Sequence, residues 1–260
     1  MTAIPATASR AGTPLPGLRT RATRLVNVIR LYLANPFPVL ILPSIILLGI
    51  LAVNIAIWAL ITIAAGPTGT SHADKGLQYS GAAFYPFVYF LIVAVQAISI
   101  TFSIALGYGS TRRNFYLGTA ITFVLLAGVF AVVMALLGVI EQVTNGWGLG
   151  GHMFTAIYFG QNWWTRLLVF FFGLLFALFT GSGFAAVWVR WKTTGLVVAF
   201  AVLAVLILGS IAVLTLTKTW NLVGGLLDDG PLAFTAWLLI PAGLSAIAGY
   251  FILRRATPRS

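Results

Sequence analysis

The residues able to perform acid–base or metal chemistry are few, and their spacing matches no known chemical motif. The chain has four acidic residues and two histidines, namely His72, Asp74, Glu141, His152, Asp228 and Asp229. Catalytic zinc sites use compact patterns such as H-E-x-x-H, which the sequence lacks. We therefore expect these side chains to be solvated loop groups, and we predict neither a metal site nor a cofactor.

Two glycine-containing segments could suggest enzymatic activity. The segment from Gly146 to Gly151 contains a G-x-G-x-x-G string, but a dinucleotide site requires a preceding strand and a βαβ unit. Ser182 lies between two glycines, but a serine nucleophile requires an adjacent base, and both histidines fall in loops. Walker A sequences are absent as well. We predict a loop at 146–151 and no enzymatic activity for this chain.

Small residues around Ser182 have a simpler interpretation. They recur every four positions and would form a ridge along one helix face that lets a neighbouring helix approach closely. The residues of this predicted packing ridge are Gly173, Ala177, Gly181 and Ala185.

The composition indicates that most of the chain forms apolar helices that cross a membrane. Of the 260 residues, 60% are hydrophobic and only 7% are charged, and the mean hydropathy is +1.02. Soluble domains contain about 25% charged residues. Six continuous apolar runs are each long enough to cross a lipid core of roughly 30 Å as helices. We place them at 39–65, 83–106, 116–140, 166–189, 195–216 and 232–253, and predict an all-α integral membrane domain over 37–255.

The segments outside this domain are short. Residues 1–18 are rich in Pro, Ala and Thr, which predicts a disordered cytoplasmic tail. Residues 19–36 alternate apolar and polar positions with helical period, which predicts an amphipathic helix lying in the membrane interface. Residues 256–260 form a second cytoplasmic tail.

Basic residues predict the orientation. Twelve of the fifteen fall at the two termini or in the loops after the second and fourth runs, and only Lys75, Arg166 and Lys218 fall on the other side. Since basic loops stay in the cytoplasm, both termini are predicted to be cytoplasmic. An odd number of spans would place basic residues of both groups on the same side, so the distribution favours six spans. The net charge of +11 thus reflects topology, and we expect the lipid bilayer, not nucleic acid, as partner.

Polar side chains within the runs are sparse. Gln96, Ser99 and Ser103 form a stripe along the second run, and Asn54 is its counterpart in the first. Such groups can form hydrogen bonds between helices. They can equally line a translocation path or a dimer interface, and the sequence leaves these alternatives open.

The loop after the second run combines a helix start with positive charge. Ser110 or Thr111 could cap a helix that begins with Arg112 and Arg113. The arginines either anchor the loop on the cytoplasmic side or provide a docking element for a cytoplasmic protein.

Four segments in this order resemble bacterial six-helix permeases of the ABC-2 type. They are the amphipathic 19–36 segment, Ala105-Leu106-Gly107 with the Arg112–Thr119 stretch, Glu141 followed by Gly146-Trp147-Gly148, and Arg190-Trp191. The resemblance implies a pore formed with a second copy or a similar permease in the plasma membrane. It also implies a separate ABC ATPase that docks on loop 109–115, through Ser110, Thr111, Arg112, Arg113, Asn114 and Phe115, and drives export.

A second interpretation requires no transport. The chain could be a membrane scaffold or regulator whose basic cytoplasmic face recruits lipid or protein. Binding of an ATPase separates the two interpretations.

Overall fold

A computed structural model describes residues 36–77, 79–107, 111–221, 224–225 and 229–255, with side chains except at 65–77 and 255. The predicted tails 1–18 and 256–260 lie outside these ranges, as do Gly109, Ser110 and all of the amphipathic 19–36 segment except Pro36. Within the described ranges the regular structure is entirely helical.

Within the described part of the chain we number six α-helices, and short helical turns precede the first two. A π-helical turn at Phe37–Ile41 leads into α1, and a 3₁₀ turn at Ala82–Phe84 leads into α2. The helices are α1 Leu42–Leu77, α2 Tyr85–Gly107, α3 Arg112–Val143, α4 Trp163–Leu216, α5 Pro231–Trp237 and α6 Leu239–Arg255. Together α5 and α6 form one apolar rod interrupted only at Leu238.

Among the described residues, five helical segments are long and apolar enough to cross a membrane. They are Phe37–Ala64, Ala82–Gly107, Arg112–Val143, Trp163–Leu216 and Pro231–Arg254. The prediction of an all-helical membrane protein is confirmed at this level. The longest segment, α4, has 54 residues. A straight helix of that length would measure about 80 Å, far more than one crossing requires.

A break at Lys192 explains the length of α4. The backbone of Lys192 is non-helical, with φ 56° and ψ −144°. The rings of Phe184 and Phe200, on opposite sides of this break, stack with centroids 5.0 Å apart. Since a continuous helix would separate these residues by about 24 Å, the chain folds back at Lys192. Helix α4 therefore has two arms, 163–191 and 193–216, which contain the fourth and fifth predicted spans.

Close helix packing centres on the first arm of α4. A Cβ atom at Gly173 would lie 2.6 Å from the Phe87 ring, and one at Gly181 would lie 2.4 Å from the Leu91 carbonyl oxygen. Both neighbours belong to α2. The structure thus places the glycines of the predicted packing ridge against α2, where glycine permits the close approach. Ala177 and Ala185 of the same ridge are buried.

The second arm of α4 is the most exposed part of the bundle. Its side chains remain accessible on nearly every face, as at Val205 (69%) and Leu208 (66%). Apolar surface of this extent is costly in water, whereas hydrocarbon solvates it well. The arm therefore has the surface of a helix immersed in lipid.

Candidate functional site

The start of α3 is a capped helix terminus. The N–H of Asn114 donates to Thr111 Oγ1 at 3.3 Å, so Thr111 is the N-cap, one of the two residues expected for that role. Arg112 and Arg113 are the first two helical residues. The structure therefore makes residues 112–115 the first turn of α3, and the helix begins four residues before the predicted span at Tyr116.

The side chains of this first turn point in different directions. Phe115 is fully buried, and its ring packs edge-on against Phe102 with centroids 5.5 Å apart. Thr111 and Arg113 are exposed, and Asn114 is half-buried. Phe115 therefore anchors the turn in the core and is inaccessible to a docking protein in this conformation.

Arg112 connects the start of α3 to the end of α6. Its Nη1 donates to the carbonyl oxygen of Arg254 at 3.0 Å. The last carbonyls of a helix lack partners within the helix and carry partial negative charge, so a guanidinium group is a suitable cap. One turn further along α3, the Tyr116 hydroxyl donates to the Ala246 carbonyl oxygen at 2.5 Å. These contacts hold the start of α3 against the middle and the end of α6.

A cavity of about 350 Å³ opens at this junction, and we call it the basic pocket. Its lining consists of Arg112, Arg113, Tyr250 and Arg254. None of these lining residues is acidic. The described carboxylates are distant: Glu141 lies near the other end of α3, and Asp229 precedes α5. Among the residues that the structure describes, the basic pocket therefore carries a positive charge with no acidic side chain beside it.

The predicted polar stripe lies on the surface of α2. Gln96 and Ser103 are exposed, and Ser99 is half-buried. The two serines donate to carbonyls of α2 itself, Ser99 to Val95 at 2.8 Å and Ser103 to Ile100 at 3.1 Å. Their hydroxyls are thus satisfied within the helix, while the stripe faces the surroundings of the monomer.

Asn54 is not part of this stripe. Its amide donates to the Ile50 carbonyl at 2.9 Å, and its Oδ1 accepts from the Ser80 hydroxyl at 3.5 Å. The structure therefore pairs Asn54 with the segment that precedes α2, away from Gln96, Ser99 and Ser103.

The opposite end of α3 holds a buried carboxylate that sequence reasoning misplaced. Glu141 has no exposed surface, so the expectation of a solvated loop group is wrong for this residue. Its carboxylate accepts three backbone N–H groups, from Met153 and Phe154 at 3.1 Å and from Thr155 at 2.9 Å. A buried carboxylate is stable only with such donors.

Side chains complete this set of donors. The Trp147 indole donates to Glu141 at 3.3 Å, and the Thr155 hydroxyl donates at 2.5 Å. His152 Nδ1 lies 2.7 Å from the same Thr155 oxygen. Because the single hydroxyl proton of Thr155 points to Glu141, Nδ1 of His152 must be the donor in the second bond. The resulting chain of hydrogen bonds ties the 146–155 loop, including the G-x-G-x-x-G string, over Glu141.

Arg166 is the buried cation of this end. Only 1% of Arg166 is exposed, and its Nη2 donates to the carbonyls of Gln161 at 3.1 Å and Gly160 at 3.4 Å. Its Nε and Nη1 groups have no hydrogen-bond partner among the residues that the structure describes. Gly138 makes room for the side chain, since a Cβ there would lie 3.0 Å from Nη1. The sequence did contain a signal for these two residues: an acid ends one apolar run, and an arginine begins the next.

Tyr158 forms a further contact at the end of the bundle that contains Glu141 and Arg166. Its hydroxyl donates to the Ser80 carbonyl oxygen, and its ring stacks against Phe84 with centroids 5.3 Å apart. Partial burial raises the pKa of the Tyr158 phenol above its ordinary value, which keeps the hydroxyl protonated as a donor. The contact holds the 144–162 connection against the segment before α2.

No protein-family model, curated protein or solved structure matches the chain.

The fold contains two candidate sites: the basic pocket at the start of α3 and the buried Glu141–Arg166 region at its end. In the part of the chain that the structure describes, no three His, Cys, Asp or Glu residues group as metal ligands. The Glu141–Arg166 region serves to hold a loop, whereas the basic pocket is open to a partner.

Proposed function

We propose that the chain crosses a bacterial plasma membrane six times, with both termini and the start of α3 in the cytoplasm. The two arms of α4 support this count, because each exceeds the roughly 20 residues that a crossing requires. The strong bias of basic residues supports the orientation. On this topology the basic pocket faces the cytoplasm, and the Glu141–Arg166 region lies at the outer surface.

The bundle is, in this proposal, the permease subunit of an ATP-binding-cassette exporter. A separate cytoplasmic ABC ATPase docks on loop 109–115. The observation that carries the proposal is the bond from Arg112 to the Arg254 carbonyl. Because this bond fixes the start of α3 to the end of α6, a push on the loop reaches two helices at once. The sequence has no Walker A motif, so the proposal assigns ATP hydrolysis to the separate subunit.

The surface of the first turn refines the docking residues. Thr111, Arg113 and the half-buried Asn114 are accessible to an ATPase, and Phe115 supports them from the core. A second copy of the chain, or a similar permease, completes the pore. In that assembly the exposed stripe of Gln96, Ser99 and Ser103 faces the translocation path or the dimer interface.

The decisive experiment is a mild-detergent pull-down of the tagged protein from its native membrane, with ATPase activity assayed in the eluate. The proposal expects a co-purifying ATPase with the wild type and its loss with Arg112→Glu/Arg113→Glu. Arg190→Glu is the matched control, because Arg190 belongs to the same basic set but stacks on Trp191 outside the pocket. No ATPase with folded wild type contradicts the proposal.

A membrane scaffold or regulator with a basic cytoplasmic face is the alternative function. The open basic pocket favours it, since three arginines with no acidic side chain among the described lining residues can recruit an anion unaided. Under this alternative no ATPase copurifies with the wild type, and Arg112→Glu leaves function intact. The same pull-down therefore distinguishes the two functions.

A further inference from the structure

The basic pocket has the chemistry of a phosphate site. Three guanidinium groups and one phenol line about 350 Å³ of open space. Arginine presents its N–H groups in a fork that matches phosphate oxygens, and such charge-assisted bonds are about twice as strong as neutral ones. Only one donor of this set, Arg112 Nη1, is engaged with a backbone carbonyl in the bonds described above.

The start of α3 favours an anion in the basic pocket, whereas the last carbonyls of α6 carry partial negative charge, and Arg112 caps one of them. Arg112 and Arg113 are the first residues of α3, where the helix dipole is positive. Their charges and that of Arg254 repel one another across the pocket, so the cluster gains stability from a bound anion. The dipole of α3 and the side chains therefore act in the same direction.

The surroundings of the pocket indicate where the phosphate comes from. Leu117 lies one turn after Arg113 on the same face of α3, and it is 40% exposed. On α6, Ile247 and Phe251 share a face with Arg254 and are 58% and 55% exposed. An apolar surface thus descends from the basic pocket along both helices, as an acyl chain attached to the phosphate would require.

We propose that the basic pocket binds a phosphate group, and that this group is the head group of an anionic phospholipid. The lipid phosphate contacts Arg112, Arg113 and Arg254, and its acyl chains lie along Leu117, Ile247 and Phe251. This inference goes beyond the permease proposal and does not depend on it. A substitution of Arg254 tests the lipid site separately from the permease proposal, because Arg254 lines the pocket but lies outside loop 109–115.

The test measures binding of phosphatidylglycerol to the purified full-length protein by native mass spectrometry, with phosphatidylcholine as the uncharged comparison. We expect selective binding of phosphatidylglycerol, and about tenfold weaker binding in Arg254→Gln, as for one lost charged hydrogen bond. Arg190→Gln, on the same predicted face but outside the pocket, should bind like the wild type. Tyr250→Phe removes a single hydroxyl and tests the pocket if Arg254→Gln fails to fold.

A second arm adds inorganic phosphate in place of lipid. Phosphate binding with the same dependence on Arg254, without selective lipid binding, would keep the phosphate site and overturn its lipid source. Equal lipid and phosphate binding by Arg254→Gln and Arg190→Gln, or no binding of either, would overturn the site. An ATPase pull-down with Arg254→Gln is read separately, because a retained ATPase with lost lipid leaves the permease proposal intact.

Discussion

Phe184 and Phe200 stack at an interplanar angle of 18° although sixteen residues separate them in one helical segment. The contact exists because the backbone turns at Lys192, midway between the two rings. It makes α4 a hairpin of two antiparallel arms. The number of membrane crossings, and with it the side on which each later loop lies, depends on this turn.

The hairpin can be tested by cross-linking, since the chain has no cysteine. We expect Phe184→Cys/Phe200→Cys to form an intramolecular cross-link with a short bis-maleimide, identified by mass spectrometry of the linked peptides. Phe184→Cys/Leu208→Cys is the control, because Leu208 lies about 12 Å further along the arm. Efficient linking of the control pair, or of neither pair, contradicts the hairpin.

The turn itself stores backbone strain. At φ 56° and ψ −144° Lys192 occupies a region that glycine alone adopts readily, at a cost of about 1–3 kcal/mol for other residues. Lys192→Gly should therefore raise the thermal unfolding temperature in detergent relative to Lys192→Ala, which also removes the charge. A lower temperature for the glycine variant would show that this conformation is not the one adopted.

The apolar runs predicted most of the fold because lipid leaves little choice of structure. Long runs must form helices, and charged residues mark their ends. The turn at position 192 is a feature that this reasoning could not predict in detail. A lysine between two apolar runs indicates a loop, yet the turn there is tight enough that helical structure continues on both sides of a single residue.

The sites were predicted less completely. The cap at Thr111 followed from residue type, because its hydroxyl needs only the next helical turn. The burial of Glu141 could not follow from its neighbours, since its backbone donors lie 12 to 14 residues away at Met153, Phe154 and Thr155. Likewise, the link between Arg112 and Arg254 joins residues 142 positions apart. Contacts of this range depend on tertiary packing.

Removal of the Glu141 carboxylate should destabilise the end of α3 at which it lies. Glu141→Ala leaves three buried backbone donors and the Thr155 hydroxyl without their acceptor, and we expect a loss of about 3–5 kcal/mol in the free energy of unfolding. Glu141→Gln should lose less, because it keeps an acceptor oxygen. Gln142→Ala alters an exposed neighbour and serves as control in thermal denaturation. Equal stability of Glu141→Ala and Gln142→Ala would refute a buried role.

Close packing of α4 on α2 predicts a position-specific effect of adding one methyl group. Gly181→Ala would place Cβ 2.4 Å from the Leu91 backbone, which cannot move without shifting α2, so we expect a loss of about 1–3 kcal/mol. Gly209→Ala, in the exposed arm, meets nothing within 4 Å and should be neutral or slightly stabilising. Detergent unfolding curves of both variants measure the difference. Similar curves would contradict the contact.

The proposed orientation predicts which loops reagents can reach from outside the cell. A membrane-impermeant maleimide added to whole cells should label Gln161→Cys and leave Thr193→Cys unlabelled until the membrane is permeabilised. Both positions are exposed in the structure, so reactivity reports sidedness alone. The reverse labelling pattern would indicate the opposite orientation, and labelling of both positions from outside would contradict the six-span arrangement.

The buried Glu141–Arg166 region also sets an order of events during synthesis. Glu141 leaves the ribosome before every donor that satisfies it, and Arg166 follows twenty-five residues later. Until the 146–155 loop folds over the end of α3, the carboxylate lacks its hydrogen-bond donors. We therefore expect chains truncated between Glu141 and Thr155 to be recognised and degraded, and chains that include the whole loop to escape this fate.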